Sequence, residues 1–268
     1  GLTDSVLLIL KDWCNGISIT EKDTEKQRGI IIEEWRQRSG IDKRLSDSIA
    51  GVIYNGSQYA RRNVIGSLDV LKTFKYRDIQ AFYKTWYRPD LQCVIIVGDI
   101  DPAAYEQQVQ KLFSSLPAAR KAKERPAFTI ADNEQPLYYR FVDKENRSHS
   151  YGLYQRVATP TNRAAAEATK DYLLGQLFNK LAPQQFARLR NRGTEGFIAA
   201  SVSYSPLVRG YSQFAWDFVP YEGQDRRALQ QILIARAQMP YYDFFSNQAF
   251  EAEKQKLYEG MKEVLSDD

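Results

Sequence analysis

Histidine is almost absent from this sequence: His149 is the only one in 268 residues. Chemistry that needs several imidazoles, or a Ser or Cys nucleophile activated by a neighbouring histidine, therefore has very little to draw on. Cysteine is scarce as well. Cys14 and Cys93 have no C-x-x-C spacing, which excludes a zinc ribbon or a dithiol redox motif. Their apolar surroundings predict two buried free thiols, with a disulfide only if the fold brings them together. The methionines, Met239 and Met261, lie far downstream, so Gly1 is expected not to be a native start. No apolar run approaches the roughly 18–20 residues of a membrane span, and no transmembrane segment is expected. There is no Gly-rich repeat or Gly-Lys-Ser, so Gly98-Asp99 after an apolar run is not read as a nucleotide loop. The net charge of +4 is modest and unclustered, which argues against a dedicated nucleic-acid surface.

What is present is core-forming material. Hydrophobic residues make up 43% and aromatic residues 13%, enough to bury a sizeable core and to exclude a disordered chain. Val6, Leu7, Leu10 and Trp13 are spaced for one face of a first helix, capped by Thr3 or Asp4 and ended by Asn15-Gly16. A second helix is expected over 21–38, opened by the capping-box-like Thr20-Glu21-Lys22-Asp23 and stopped by Ser39-Gly40. Residues 45–54 read as a third, closed by Asn55-Gly56, with a loop over 57–66. Ile79, Phe82, Tyr83 and Trp86 give a helix with a broad aromatic face, which Pro89 ends. Residues 92–99, a β-branched run closed by Gly98, predict a buried strand. Asp101-Pro102 opens the next helix, through about Leu116.

Residues 117–136 are charged and punctuated by prolines and read as a linker. Its Arg120, Lys121, Lys123 and Arg125 are expected to be solvated. Beyond it, 137–142 and 148–157 alternate as half-buried strands, and 161–181 and 184–192 read as two helices. Residues 196–205 and 211–220 form an antiparallel pair split by Pro206 and Gly210, and 224–239 and 246–265 are closing helices. The fold class is α+β: two sequential two-layer α/β domains with largely antiparallel sheets, at 1–116 and 137–268. His149, between two serines, is expected to be hydrogen-bonded or exposed. Arg188, Arg190 and Arg192 line one side of a helix and read as a solvated face.

The second helix carries the one distinctive arrangement. Gln27 and Glu34 are seven residues apart, nearly two turns, so they project from one face with Ile30 between them. A carboxylate beside an apolar triplet is costly to bury unless a cation or donor meets it. By spacing alone, Glu34 is a surface acid on an amphipathic helix or a ligand.

The wording Lys26-Gln27-Arg28-Gly29-Ile30-Ile31 … Glu34 resembles the helix that carries the third zinc ligand in pitrilysin/insulinase metallopeptidases, whose first two ligands lie in an inverted H-x-x-E-H. Tyr59-Ala60-Arg61-Arg62 … Ile65-Gly66 and the block from Tyr76 through Tyr87-Arg88-Pro89 to Gly98-Asp99-Ile100-Asp101 resemble later parts of the same family. The resemblance implies a zinc metallopeptidase that cleaves peptides or unfolded polypeptides. In that mechanism zinc polarises the scissile carbonyl and a glutamate of the H-x-x-E-H is the general base. Glu34 falls on the third-ligand position, and Gln27 falls where the family has a supporting acid. The sequence departs from the pattern twice: the supporting acid is an amide, and no H-x-x-E-H is present.

These matches imply the C-terminal part of a catalytic domain at 1–116 and the N-terminal part of a non-catalytic one at 137–268. Zinc is expected in the intact protein and none in this chain alone, which is expected to be inactive by itself. Implied partners are a peptide substrate and the remaining domains of the parent protein or a homologous subunit. Gln27 leaves open a non-catalytic homologue that acts as scaffold or partner subunit. The residues do not fix a compartment; the family resemblance suggests export to the periplasm.

Overall fold

The computed structural model describes residues 2–118, 122–146, 149–191, 196–241 and 245–266, without the side chains of 2–4, 188–191 and 265. The chain divides into two compact units, Gly1–Phe141 and Val142–Asp268.

Among the described residues of the first unit the regular elements are helices: α1 Leu2–Asn15, α2 Glu21–Gln37, α3 Ile41–Ile53, the single turn α4 Gln58–Arg61, α5 Leu68–Thr73, α6 Tyr76–Trp86 and α7 Pro102–Phe113. Their ends follow local chemistry. Asp101 accepts from the amides of Ala103 and Ala104 at 3.0 and 3.4 Å, with Pro102 at a position where a missing N–H costs little. At the end of α3, Asn55 and Gly56 take positive φ of 43° and 64°, and the Gly56 amide bonds back to the Gly51 carbonyl at 2.8 Å. That is the left-handed closure expected of Asn-Gly. Arg88 is extended, as a residue before proline must be, and Pro89–Leu91 makes one 3₁₀ turn. Leu7, Leu71, Tyr83 and Ile130 are buried. The Tyr83 hydroxyl donates to the Trp13 carbonyl at 2.8 Å and accepts from the Ile17 amide at 3.3 Å, tying α6 to the end of α1.

The strand expected at 92–99 is not formed. The segment takes no regular secondary structure, with Gln92, Val94 and Ile96 half-buried and Cys93, Ile95 and Val97 exposed, and no ladder partner stands beside it among the described residues. A β-branched run favours extension, yet a strand exists only where a second backbone accepts its hydrogen bonds. The thiols depart from expectation too: both are free, but Cys14 is only partly buried and Cys93 is exposed, since one face of that segment is uncovered. Residues 122–141 form no helix or strand, and the strand expected at 137–142 joins no ladder among the described residues.

The second unit holds a three-stranded antiparallel sheet of order β1-β3-β2, with β1 Tyr151–Ala158, β2 Phe197–Val208 and β3 Tyr211–Pro220. Helices α8 Ala165–Asn191, α9 Asp225–Gln238 and α10 Asn247–Ser266 complete it. Phe186, Phe197, Val202, Trp216, Phe218 and Ile232 build the core, joined by Ala182, Ala228 and Ala235. β2 does not stop at Pro206 but runs on to Val208 through a register shift, the place where an edge strand tolerates proline. The two helices expected at 161–181 and 184–192 are one, α8, with Pro183 inside it. An interior proline costs about 3 kcal/mol, and burying Leu181, Ala182 and Phe186 on both sides of it offsets that loss by roughly 1.5–3 kcal/mol for each large side chain.

α8 grips the sheet edge at one point. The Asn179 amide donates to the Tyr204 carbonyl at 2.8 Å and accepts from the Tyr204 N–H at 2.7 Å, so a side chain stands in for a strand partner. One turn earlier, Gly175 makes room for the ring: a Cβ there would lie 3.1 Å from Tyr204 Cδ1.

Candidate functional site

The site lies on α2. Its start is fixed by Thr20, whose hydroxyl accepts from the Asp23 amide at 3.1 Å and donates to the Asp23 carboxylate at 2.6 Å. Glu21 and Asp23 in the first turn also suit the positive end of the helix dipole. The buried Thr24 donates to the Thr20 carbonyl at 2.8 Å. At the far end Ser39 donates to the Trp35 carbonyl at 2.7 Å.

Sequence reasoning did not identify Arg28 as the residue that sets this helix against its neighbour. Its guanidinium donates to the carbonyls of Leu71 and, at 2.6 Å, Phe74, both at the end of α5. It also forks onto Glu25, at 2.9 Å from Nε and 2.8 Å from Nη2, and lies 4.1 Å from the centre of the Phe74 ring. One planar cation thus meets a carboxylate, two helix-end carbonyls and an aromatic face, which an ammonium could not do. The hydrogen bond from Arg28 lowers the pKa of the Glu25 carboxyl and raises that of the guanidinium. The Arg28–Glu25 spacing is readable in sequence; the carbonyls, 43 and 46 residues away, are not.

With α2 held in this way, Gln27, Ile30 and Glu34 are exposed, and Ile31 and Trp35 are half-buried. The seven-residue spacing brings Gln27 and Glu34 to within about 20° of one another around the axis. Gln27 makes no side-chain hydrogen bond among the described residues. Glu34 pairs with Arg38, Oε1 to Nη2 at 2.7 Å, with side chains 46% and 66% exposed. An exposed i,i+4 pair of this kind contributes only about 0.3–0.5 kcal/mol, so Glu34 is not committed to it. A Cβ added at Gly29 would meet nothing within 4 Å, so the helix borders open space there.

His149 is in the second unit, with its side chain 85% exposed and Nδ1 3.7 Å from Asp225. Tyr151 donates to that same carboxylate at 2.7 Å and is the main cause of its lowered pKa. The side chains of Arg188 and Arg190, and all of Arg192, lie outside the described residues, as do Arg120 and Lys121; Lys123 and Arg125 are exposed. Among the described residues no group of three or more His, Cys, Asp or Glu could hold a metal ion. One exposed carboxylate, with an amide nearly two turns earlier on the same helix face, fits a single ligand position. It does not fit a whole zinc site, which takes three protein ligands and a water.

No helix is long and apolar enough to cross a membrane among the described residues. Residues 73–237 match the family described as the peptidase M16 inactive domain. The chain is 29% identical over 205 residues to the probable zinc protease PqqL of Escherichia coli K12, a match covering 75% of this chain and 22% of that protein. The fold is similar to the crystal structure of the first half of the periplasmic protease PqqL from Escherichia coli, with a TM-score of 0.78 at 22% identity over 98% of this chain and 56% of that one. It is similar as well to the ferredoxin protease FusC, crystallised as a mutant with Arabidopsis ferredoxin, at a TM-score of 0.79 and 21% identity over 96% of this chain and 28% of that one. The chain therefore spans less than a quarter of the length of the curated PqqL it matches, and it belongs to the M16 peptidase family.

Proposed function

We propose that this chain is a middle portion of a zinc-dependent metalloendopeptidase that cleaves peptides or unfolded polypeptides, in which Glu34 is the third zinc ligand and Gln27 stands behind it. The observation that carries this reading is the exposed Gln27–Ile30–Glu34 face of α2, presented outward by Arg28, in a chain of the M16 family. Residues 1–116 are then the C-terminal part of the catalytic domain, 117–136 the connection and 137–268 the N-terminal part of a non-catalytic domain. The remaining zinc ligands and the general base come from the rest of the parent protein, and this chain by itself is inactive. The periplasmic PqqL among its relatives supports export to the periplasm.

A second reading rests on Gln27. An amide in place of the supporting acid removes a negative charge from behind the ligand, which weakens a metal site. On this reading the parent is a non-catalytic homologue that serves as scaffold or partner subunit. Peptide hydrolysis by the protein expressed from its own coding sequence, lost on Glu34→Gln, supports the first. Absence of hydrolysis with added zinc, unrelieved by Gln27→Glu, supports the second.

A further inference from the structure

The proline-punctuated stretch after α7 has the composition of a linker, yet it belongs to the first unit, which runs to Phe141. Residues 122–131 take no regular secondary structure, and all of them are exposed except the buried Ile130. A true linker leaves its backbone to water. Here side chains of the helical part hold it. Arg88, itself buried, donates to the Lys123 carbonyl at 2.7 Å and pairs with Asp90 at 3.1 Å. The Lys123 ammonium lies 5.7 Å from the centre of the Trp86 ring. Further along, Phe128 meets the Tyr59 ring edge-on at 6.5 Å, and the Asn55 amide donates to the Ala131 carbonyl at 2.9 Å.

Two of these contacts carry more than packing. Asn55 sits at φ 43°, where glycine is free of strain, so a glycine would close α3 equally well. Only the asparagine also reaches the segment. Arg88 engages the carbonyl of the Lys123–Glu124 bond, the atom that a protease cutting after lysine must attack. The Lys123 side chain is open to solvent while its carbonyl is held.

We propose that 122–131 is a docked strap, clasped by Arg88 and Asn55, which holds the loop 57–66 through Tyr59 and sets the movable join between the two units beyond Ala131. Ile130 is its buried anchor, and the helices around Arg88 and Asn55 are its frame. The strap rests on contacts inside the first unit and not on zinc, Glu34 or activity.

The test is limited trypsin digestion of the 268-residue chain and of the protein expressed from its own coding sequence, with the cut bonds read by mass spectrometry. Lys144–Glu145, in an exposed turn, is cut about tenfold or more faster than Lys123–Glu124, although both lysines are exposed. Asn55→Gly speeds cutting at Lys123–Glu124 about fivefold and Arg88→Gln about tenfold, with Lys144–Glu145 unchanged. Both variants also speed amide exchange over 57–66. Should Arg88→Gln fail to fold, Asn55→Gly decides alone, because glycine keeps the helix end. Equal wild-type rates at the two bonds overturn the strap, as do variants that leave Lys123–Glu124 as slow as in wild type. Faster cutting with exchange over 57–66 unchanged overturns the hold on the loop.

Discussion

Arg28 donates to the Phe74 carbonyl at 2.6 Å while its guanidinium carbon sits 4.1 Å from the centre of the Phe74 ring. This contact, with the Leu71 carbonyl and Glu25, fixes how α2 is turned against α5. It leaves the Gln27–Glu34 face outward. Removing the side chain takes away charge-assisted hydrogen bonds worth about 1.5–3 kcal/mol each, partly replaced by water at the freed carbonyls. Arg28→Ala is therefore expected to destabilise the first unit by about 2 kcal/mol in urea denaturation, and Arg28→Lys to recover less than half.

Glu25 makes the same contact pH-dependent. Its pKa is lowered in the fold, chiefly by the hydrogen bond from Arg28, from an ordinary value of 4.5. A depressed folded pKa contributes stability that is present above the ordinary value and lost as pH falls through the folded one. Wild type should melt above Glu25→Gln at neutral pH, and the two melting temperatures should converge as pH falls through the lowered folded value.

Tyr154 titrates at the other end of the scale. Burial, and then the Asp217 carboxylate to which it donates at 2.9 Å, push its pKa up to about 12. Folding favours its neutral form, so its contribution is complete below pH 10 and lost as pH rises through the folded value. Ultraviolet titration of Tyr154→Phe should lack one phenol that ionises at about 12 in wild type. Gly152→Ala should lower that pKa, because a Cβ there would lie 2.5 Å from the Tyr154 oxygen and displace it from Asp217.

Asn179→Ala leaves the Tyr204 N–H and C=O without their partner. Each unpaired, partly buried group costs about 1–3 kcal/mol, so a loss of at least about 2 kcal/mol is expected in denaturant titration. Asn179→Asp should recover part of it, since a carboxylate still accepts from the N–H but faces the carbonyl without a donor.

Much of this architecture is legible in the residues because its causes are local. Thr20 with Asp23, Asn55-Gly56, Pro89 and Asp101-Pro102 mark helix ends within five residues of the groups they act on, and each does so in the structure. Alternation placed β1 and the β2–β3 pair close to their observed bounds. The readings that failed depended on distant groups. The run at 92–99 has strand chemistry but no second backbone beside it among the described residues, and the proline at 183 is carried within α8 by core contacts that propensity does not contain. Likewise Gln27 and Glu34 can be placed on one face from spacing, but the role of Arg28 requires knowing that α5 ends against it.

The most direct measurement is the zinc content of the protein expressed from its own coding sequence, as wild type and as Glu34→Gln, together with zinc titration of the 268-residue chain. Wild type should retain about one zinc per M16 catalytic domain and lose it on Glu34→Gln, while the short chain shows no stoichiometric binding at micromolar zinc. Zinc retained by Glu34→Gln, or tight stoichiometric binding by the short chain alone, would contradict the assignment of Glu34 as the third ligand.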